Sequence, residues 1–104
     1  MGKGPKSESI VQQFVMEAVR LGAEVLEVEY KDGYEQVFAS KHRVGYGIGR
    51  LRSSSPEAAA LRKELYEIVK RRRRVAIGAT YYELRGEVFD SFGEDAFRVE
   101  ILPV

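Results

Sequence analysis

The sequence has no cysteine and no tryptophan, one histidine and three prolines among 104 residues. Without cysteine there are no disulfides, no thiolate nucleophiles and no Cys-ligated metal or cluster site. A single histidine, His42, rules out a His-based metal cluster. No apolar run approaches the roughly 18 residues of a membrane-spanning helix, and the opening "MGKGPKSESI" lacks the hydrophobic centre of a secretory leader. Met1-Gly2 does not begin a myristoylation signal, because Lys6 stands where that pattern needs Ser or Thr. No membrane insertion is expected, and the expected location is cytoplasmic.

What is present suffices for one domain. Hydrophobic residues make up 44% of the chain and aromatics 11%, which is too apolar for a disordered composition. The net charge of +1 is unevenly spread: residues 1–40 carry −3, residues 41–74 carry +8 and residues 75–104 carry −4. Such blocks mark a contact face if folding leaves them together, and cancel if folding interleaves them.

Residues 1–8, with two glycines, a proline and lysines, read as a flexible tail, and residues 9–104 as a single domain. Ser9 precedes Gln12 at capping-box spacing, and the apolar residues from Ile10 to Leu21 recur with helical period. From Leu26 to Tyr30 the period changes to two, placing Glu27 and Glu29 on a solvated strand face. Asp32-Gly33 then signals a hairpin into a second strand, Tyr34 to Ser40. Ser55, Pro56 and Glu57 open a second helix with cap, fixed φ and dipole partner in order. That helix ends in Lys70 and the arginine run 71–74. "VAIGATYYELRGEVF" and "AFRVEIL" read as two further strands. The expected fold is α+β: an α-β-β-α-β-β two-layer sandwich with two helices packed on one face of a mostly antiparallel sheet.

The stretch "RVGYGIGR", Arg43 to Arg50, has the composition of a phosphate loop but neither of the usual spacings. G-x-G-x-G is not G-x-G-x-x-G or G-x-x-x-x-G-K-[ST], and no helix starts directly behind it to aim N–H groups at an anion. Side chains alternate along a strand, so the pattern reads as a twisted or edge strand with Val44, Tyr46 and Ile48 on one side and bare glycine on the other, or as a mobile loop, and it is not counted among the strands of the expected fold. The glycine side would let another element approach closely.

Candidate chemistry is sparse. His42 lies in "SKHRV" and reads as a surface residue, and no pair of carboxylates is singled out. No catalytic residue, metal ligand or cofactor is expected. Two surface readings remain open. The basic segment 41–74 and the tyrosines Tyr30, Tyr34, Tyr46, Tyr66, Tyr81 and Tyr82 suit phosphates and stacked bases, which would make a nucleic-acid-binding domain. The arginine run is equally what a solvated helix end looks like.

The C-terminal segment "YYELRGEVFDSFGEDAFRVEIL" resembles a segment of the ATPases of type II secretion and type IV pilus assembly. Tyr82-Glu83-Leu84-Arg85 matches that family's strand with its arginine, Phe92-Gly93-Glu94 its turn and Val99-Glu100-Ile101-Leu102 its closing strand. "EAVRLGAEVLEVEYKDGYEQVF" is similar to the family's segment around Glu17-Ala18, Gly22-Ala23 and Glu29. The resemblance runs from about Ile10 to Leu102 and falls on the family's amino-terminal, PAS-like domain. There are departures: the family's Ser-Asp-Ile-His is Glu24-Val25-Leu26-Glu27 here, and its Ser-Thr-x-Pro-Thr segment has become "GEVFDS". The P-loop motor lies outside these 104 residues, so nothing in them hydrolyses ATP by the family's mechanism. The resemblance implies a non-enzymatic protein-interaction or adaptor domain whose partner is a secretion- or pilus-type motor or regulator, and it carries Arg85 over as a contact residue. The candidate interaction surface comprises Arg43, Arg50, Arg52, Arg71, Arg72, Arg73, Arg74 and Arg85.

Overall fold

The computed structural model describes residues 9–104; the tail expected over residues 1–8 lies outside the described residues. Helix α1 spans Ile10–Arg20, and the Ser9 hydroxyl accepts the Gln12 N–H at 3.0 Å as the cap position requires. Gln12 does not complete the box by reaching back: its side chain donates to the Ala76 carbonyl at 3.3 Å. Strands β1 (Val25–Lys31), β2 (Tyr34–Lys41) and β3 (Val44–Arg52) follow. Helix α2 (Pro56–Lys70) begins at Ser55, whose hydroxyl accepts the Ala58 N–H at 3.1 Å. Strands β4 (Arg73–Ile77), β5 (Thr80–Ser91) and β6 (Glu94–Pro103) complete the chain.

The six strands form one antiparallel sheet in the order β3-β2-β1-β6-β5-β4, two three-stranded meanders joined where β1 meets β6. Both helices bury their apolar stripes on the same face. Val11, Val15 and Ala18 of α1 and Leu61, Leu65 and Ile68 of α2 form one core with Leu26, Val28, Val37, Leu84, Phe97 and Val99 of the sheet. The molecule is therefore an α+β two-layer sandwich.

Its element order corrects the expected α-β-β-α-β-β to α-β-β-β-α-β-β-β. Each half has one more strand than the pattern suggested, because one hairpin in each was hidden. Lys41 pairs with Val44, so the β2–β3 reversal falls on His42 and Arg43, at φ of 52° and 69°. Neither is among the residues that usually announce such a turn. In the second half, Ile77 pairs with Thr80 and the chain reverses at Gly78-Ala79, dividing what read as one long strand into β4 and β5.

The glycine strand is also corrected. A bulge between Val37 and Phe38 shifts the β2–β3 register, so that Val37 faces Gly49 but Phe38 faces Gly47. Val37 is in the core and Phe38 on the opposite face, so Gly49 and Gly47 lie on opposite faces too. A Cβ at Gly49 would lie 2.8 Å from Phe14 Cζ of α1; at Gly47 it would meet only Phe38, at 3.9 Å. One glycine receives the domain's own helix, and the other faces away from it. On the far half of the sheet, Gly86 does for α2 what Gly49 does for α1, with Ile68 and the Val69 nitrogen 3.1 Å from where its Cβ would be.

Candidate interaction surface

With both helices on one side, no element among the described residues covers the other face of the sheet. Strand register assembles it in rows. Phe38, Glu27, Arg98 and Glu87 lie side by side, as do Ser40, Val25, Glu100 and Arg85, then Leu102, Glu83 and Arg74. Opposite charges alternate across neighbouring strands, an arrangement that supports the sheet by a few tenths of a kcal/mol per pair (roughly 0.2–1). Arg98 lies 3.8 Å from Glu27, and Arg85 Nε donates to Glu83 at 3.0 Å. This region is electrically balanced.

Balance fails at the β3 edge. Two hollows open there on the uncovered face, over the two glycines that point into it. One, of about 340 Å3, is bounded by Gln36, Phe38, Gly47, Gly49 and Arg50. The other, of about 350 Å3, is lined by Ser40, His42, Arg43 and Gly45 and, toward β1 and β6, by Glu24, Glu27 and Arg98, so its arginines are matched by carboxylates and the imbalance lies at the first hollow. Arg50 stacks on the Tyr34 ring at 4.0 Å and Arg52 at 5.3 Å, cation–π contacts that hold both guanidinium groups on the open face without neutralising them.

The candidate arginines do not form one patch. Arg43 is on the β2–β3 turn and Arg50 and Arg52 are on β3, at one edge of the sheet. Arg73 and Arg74 are on β4, at the other edge, five strand spacings or about 24 Å away. Arg71 caps α2, and Arg72 pairs with Glu83 at 3.4 Å. Arg73 is a structural residue: its guanidinium reaches Glu64 at 2.6 Å and Glu67 at 3.2 Å. Arg85 lies on β5 between the two edges and is paired to Glu83.

Two interior polar clusters escaped the sequence reading. Glu35 is buried, 4% exposed, on the core side of β2; it accepts from Arg62 at 3.0 Å and from the Ser53 hydroxyl at 3.1 Å. Arg62 also donates to the Ser53 carbonyl at 3.3 Å, tying β2, α2 and the segment between β3 and α2 together. The clue was available, since Glu35 shares the two-residue phase of Val37 and Ala39. Glu64 of α2 is the second case. Its carboxylate accepts the Ile10 N–H at 2.9 Å, the Val11 N–H at 3.4 Å, the Ser9 hydroxyl and Arg73. Burial by itself raises this carboxyl, but the Ser9 hydroxyl, the Arg73 guanidinium and the Val11 N–H outweigh it, and the group lies below its ordinary value. The place of a capping-box glutamate in α1 is thus taken by a carboxylate from the other helix.

His42 is exposed on its turn, and among the described residues no three His, Cys, Asp or Glu side chains are grouped to hold a metal. Among the same residues, no helix is long and apolar enough to cross a membrane. No protein-family model matches the chain, and no curated protein matches it at significant similarity.

Proposed function

We propose that this chain is a non-enzymatic protein-interaction domain, of the kind that precedes the motor in secretion and pilus ATPases, and that its partner is a motor or regulatory protein of that type. The uncovered sheet face carries the reading. It is built on strands, which makes it rigid, and combines a charge-balanced centre with two hollows at an unpaired edge. The order of the matched segments, from Glu17-Ala18 to Val99-Leu102, supports the kinship.

Nucleic-acid binding along the 41–74 segment is the weaker reading, because Arg50 and Arg52 are separated by the width of the sheet from Arg73, whose charge is taken up by Glu64 and Glu67. A photo-crosslinking residue at Gln36, on the open face, is expected to capture one partner from the source cell that the same residue at Lys63, on α2, does not. Equal capture from both faces, or measurable ATP turnover by the purified chain, overturns the proposal. A nucleic-acid affinity that falls steeply with salt and is lost on replacing Arg71 to Arg74 by Ser would establish the other reading.

A further inference from the structure

Two features of the molecule are individually costly and mutually complementary. The first is the tip of the β5–β6 hairpin. Its two-residue turn, Phe92-Gly93, has φ of 54° and 86°, nearly the same as Asp32-Gly33 at the tip of the β1–β2 hairpin, 53° and 87°. Asp is among the residues that tolerate this left-handed geometry; a bulky aromatic is an outlier there. Phe92 gains no burial in return, being 103% exposed, and Val88 and Phe89 below it are also exposed. From Gly86 to Phe97 the hairpin carries four carboxylates and no cation. It also diverges from its neighbour: β6 pairs with β1 only from Phe97 to Glu100, whereas its pairing with β5 continues out to Glu94, leaving a gap between the two hairpin ends that Tyr30, Asp32, Phe92 and Glu94 line. The Tyr66 hydroxyl, donating to Asp95 two residues from the turn, braces the hairpin against α2.

The second feature is the β3 edge. From Gln36 to Pro56 the chain carries four cations and no carboxylate, the inverse of the hairpin. Within that stretch lies the hollow over Gly47, walled by Phe38 and rimmed by Arg50. Its volume of about 340 Å3 admits a phenyl ring.

We propose that the β5–β6 hairpin tip of one molecule docks in the Gly47 hollow of a second copy, Phe92 against Phe38, with the hairpin carboxylates facing Arg43, Arg50 and Arg52. Donor and acceptor are different surfaces of each copy, so two copies either exchange hairpins in a closed two-fold pair or join head-to-tail into rings or filaments. This goes beyond the binding of a motor or regulator and does not depend on it: Gln36 borders the same hollow, so a crosslink from it to a second copy reports this contact and a crosslink to a different protein reports the other.

Sedimentation of the full chain across a concentration series tests it. The expected result is concentration-dependent association that weakens with salt. Phe92→Asn should raise the melting temperature, since Asn suits the turn, while abolishing association. Arg50→Glu with Arg52→Glu, and separately Gly47→Val, should abolish it from the acceptor side with the fold retained by circular dichroism. Mixing Phe92→Asn with the Arg50→Glu/Arg52→Glu variant should restore association but stop it at a dimer, because one intact hairpin and one intact hollow remain. A monomer at every concentration, association that survives Phe92→Asn, or a mixture that remains monomeric overturns the proposal. So does a monomer whose Gly47 and Arg50 resonances shift with an acidic peptide, which would give the hollow to a different occupant.

Discussion

Gly49 and Gly47 differ by two positions and by the whole thickness of the sheet. Any side chain at Gly49 meets the far end of the partly buried Phe14 ring, which must move out of its place between α1 and β3 to make room. Gly49→Val is therefore expected to destabilise the domain by roughly 1–3 kcal/mol, the usual penalty for overpacking. Gly47→Val places its methyls on the open face beside Phe38 and should leave the urea midpoint within about 0.5 kcal/mol of wild type. Equal loss in the two variants would contradict the register shift. The Glu35–Arg62 pair makes a second residue-scale prediction. Removing the guanidinium leaves a carboxylate buried with only Ser53 for company. Arg62 is itself one-third exposed, so the penalty falls below that of a fully buried pair: Arg62→Ala should cost about 2 kcal/mol in chemical denaturation. Replacing both residues by Met should recover part of it.

At the scale of elements, α1 owes its anchoring to α2. The first backbone N–H groups of a helix are unsatisfied and carry partial positive charge, and Glu64 meets two of them with a carboxylate from a neighbouring helix. Because the folded Glu64 titrates below its ordinary value, its contribution is present above the unfolded value and is lost as pH falls through the lowered folded one. Stability should therefore decline on acidification below about pH 4. Glu64→Gln should be less stable at neutral pH and show a flatter acid limb; an unchanged acid limb would remove Glu64 from this role. The two helix starts were legible because Ser9 and Ser55 with Pro56 are local signals. The two hidden hairpins were not, since His42-Arg43 carries no turn residue and Gly78 was read as part of a strand. In a tight hairpin, the register of the flanking strands can impose φ values that the turn residues do not prefer.

For the whole molecule, the charge blocks that looked like a continuous basic surface are dispersed by topology. Sheet order places β3 and β4 at opposite edges, so the segment joining them, although continuous in sequence, spans the domain. Among the described residues, Arg50 and Arg52 on β3 form no ion pair, and they are opposite in sign to the β5–β6 hairpin.

The sequence by itself determined the composition class, the helix starts and the two-residue phase of β1, with Leu26 and Val28 toward the core, because these depend on neighbours a few positions away. Only the tertiary structure decided which glycine receives Phe14, whose carboxylate caps α1, that Arg73 is internal bracing and that a bare hollow lies beside Phe38. Those depend on a single bulge and on the order in which strands pair, and both are settled by contacts between residues far apart in the chain.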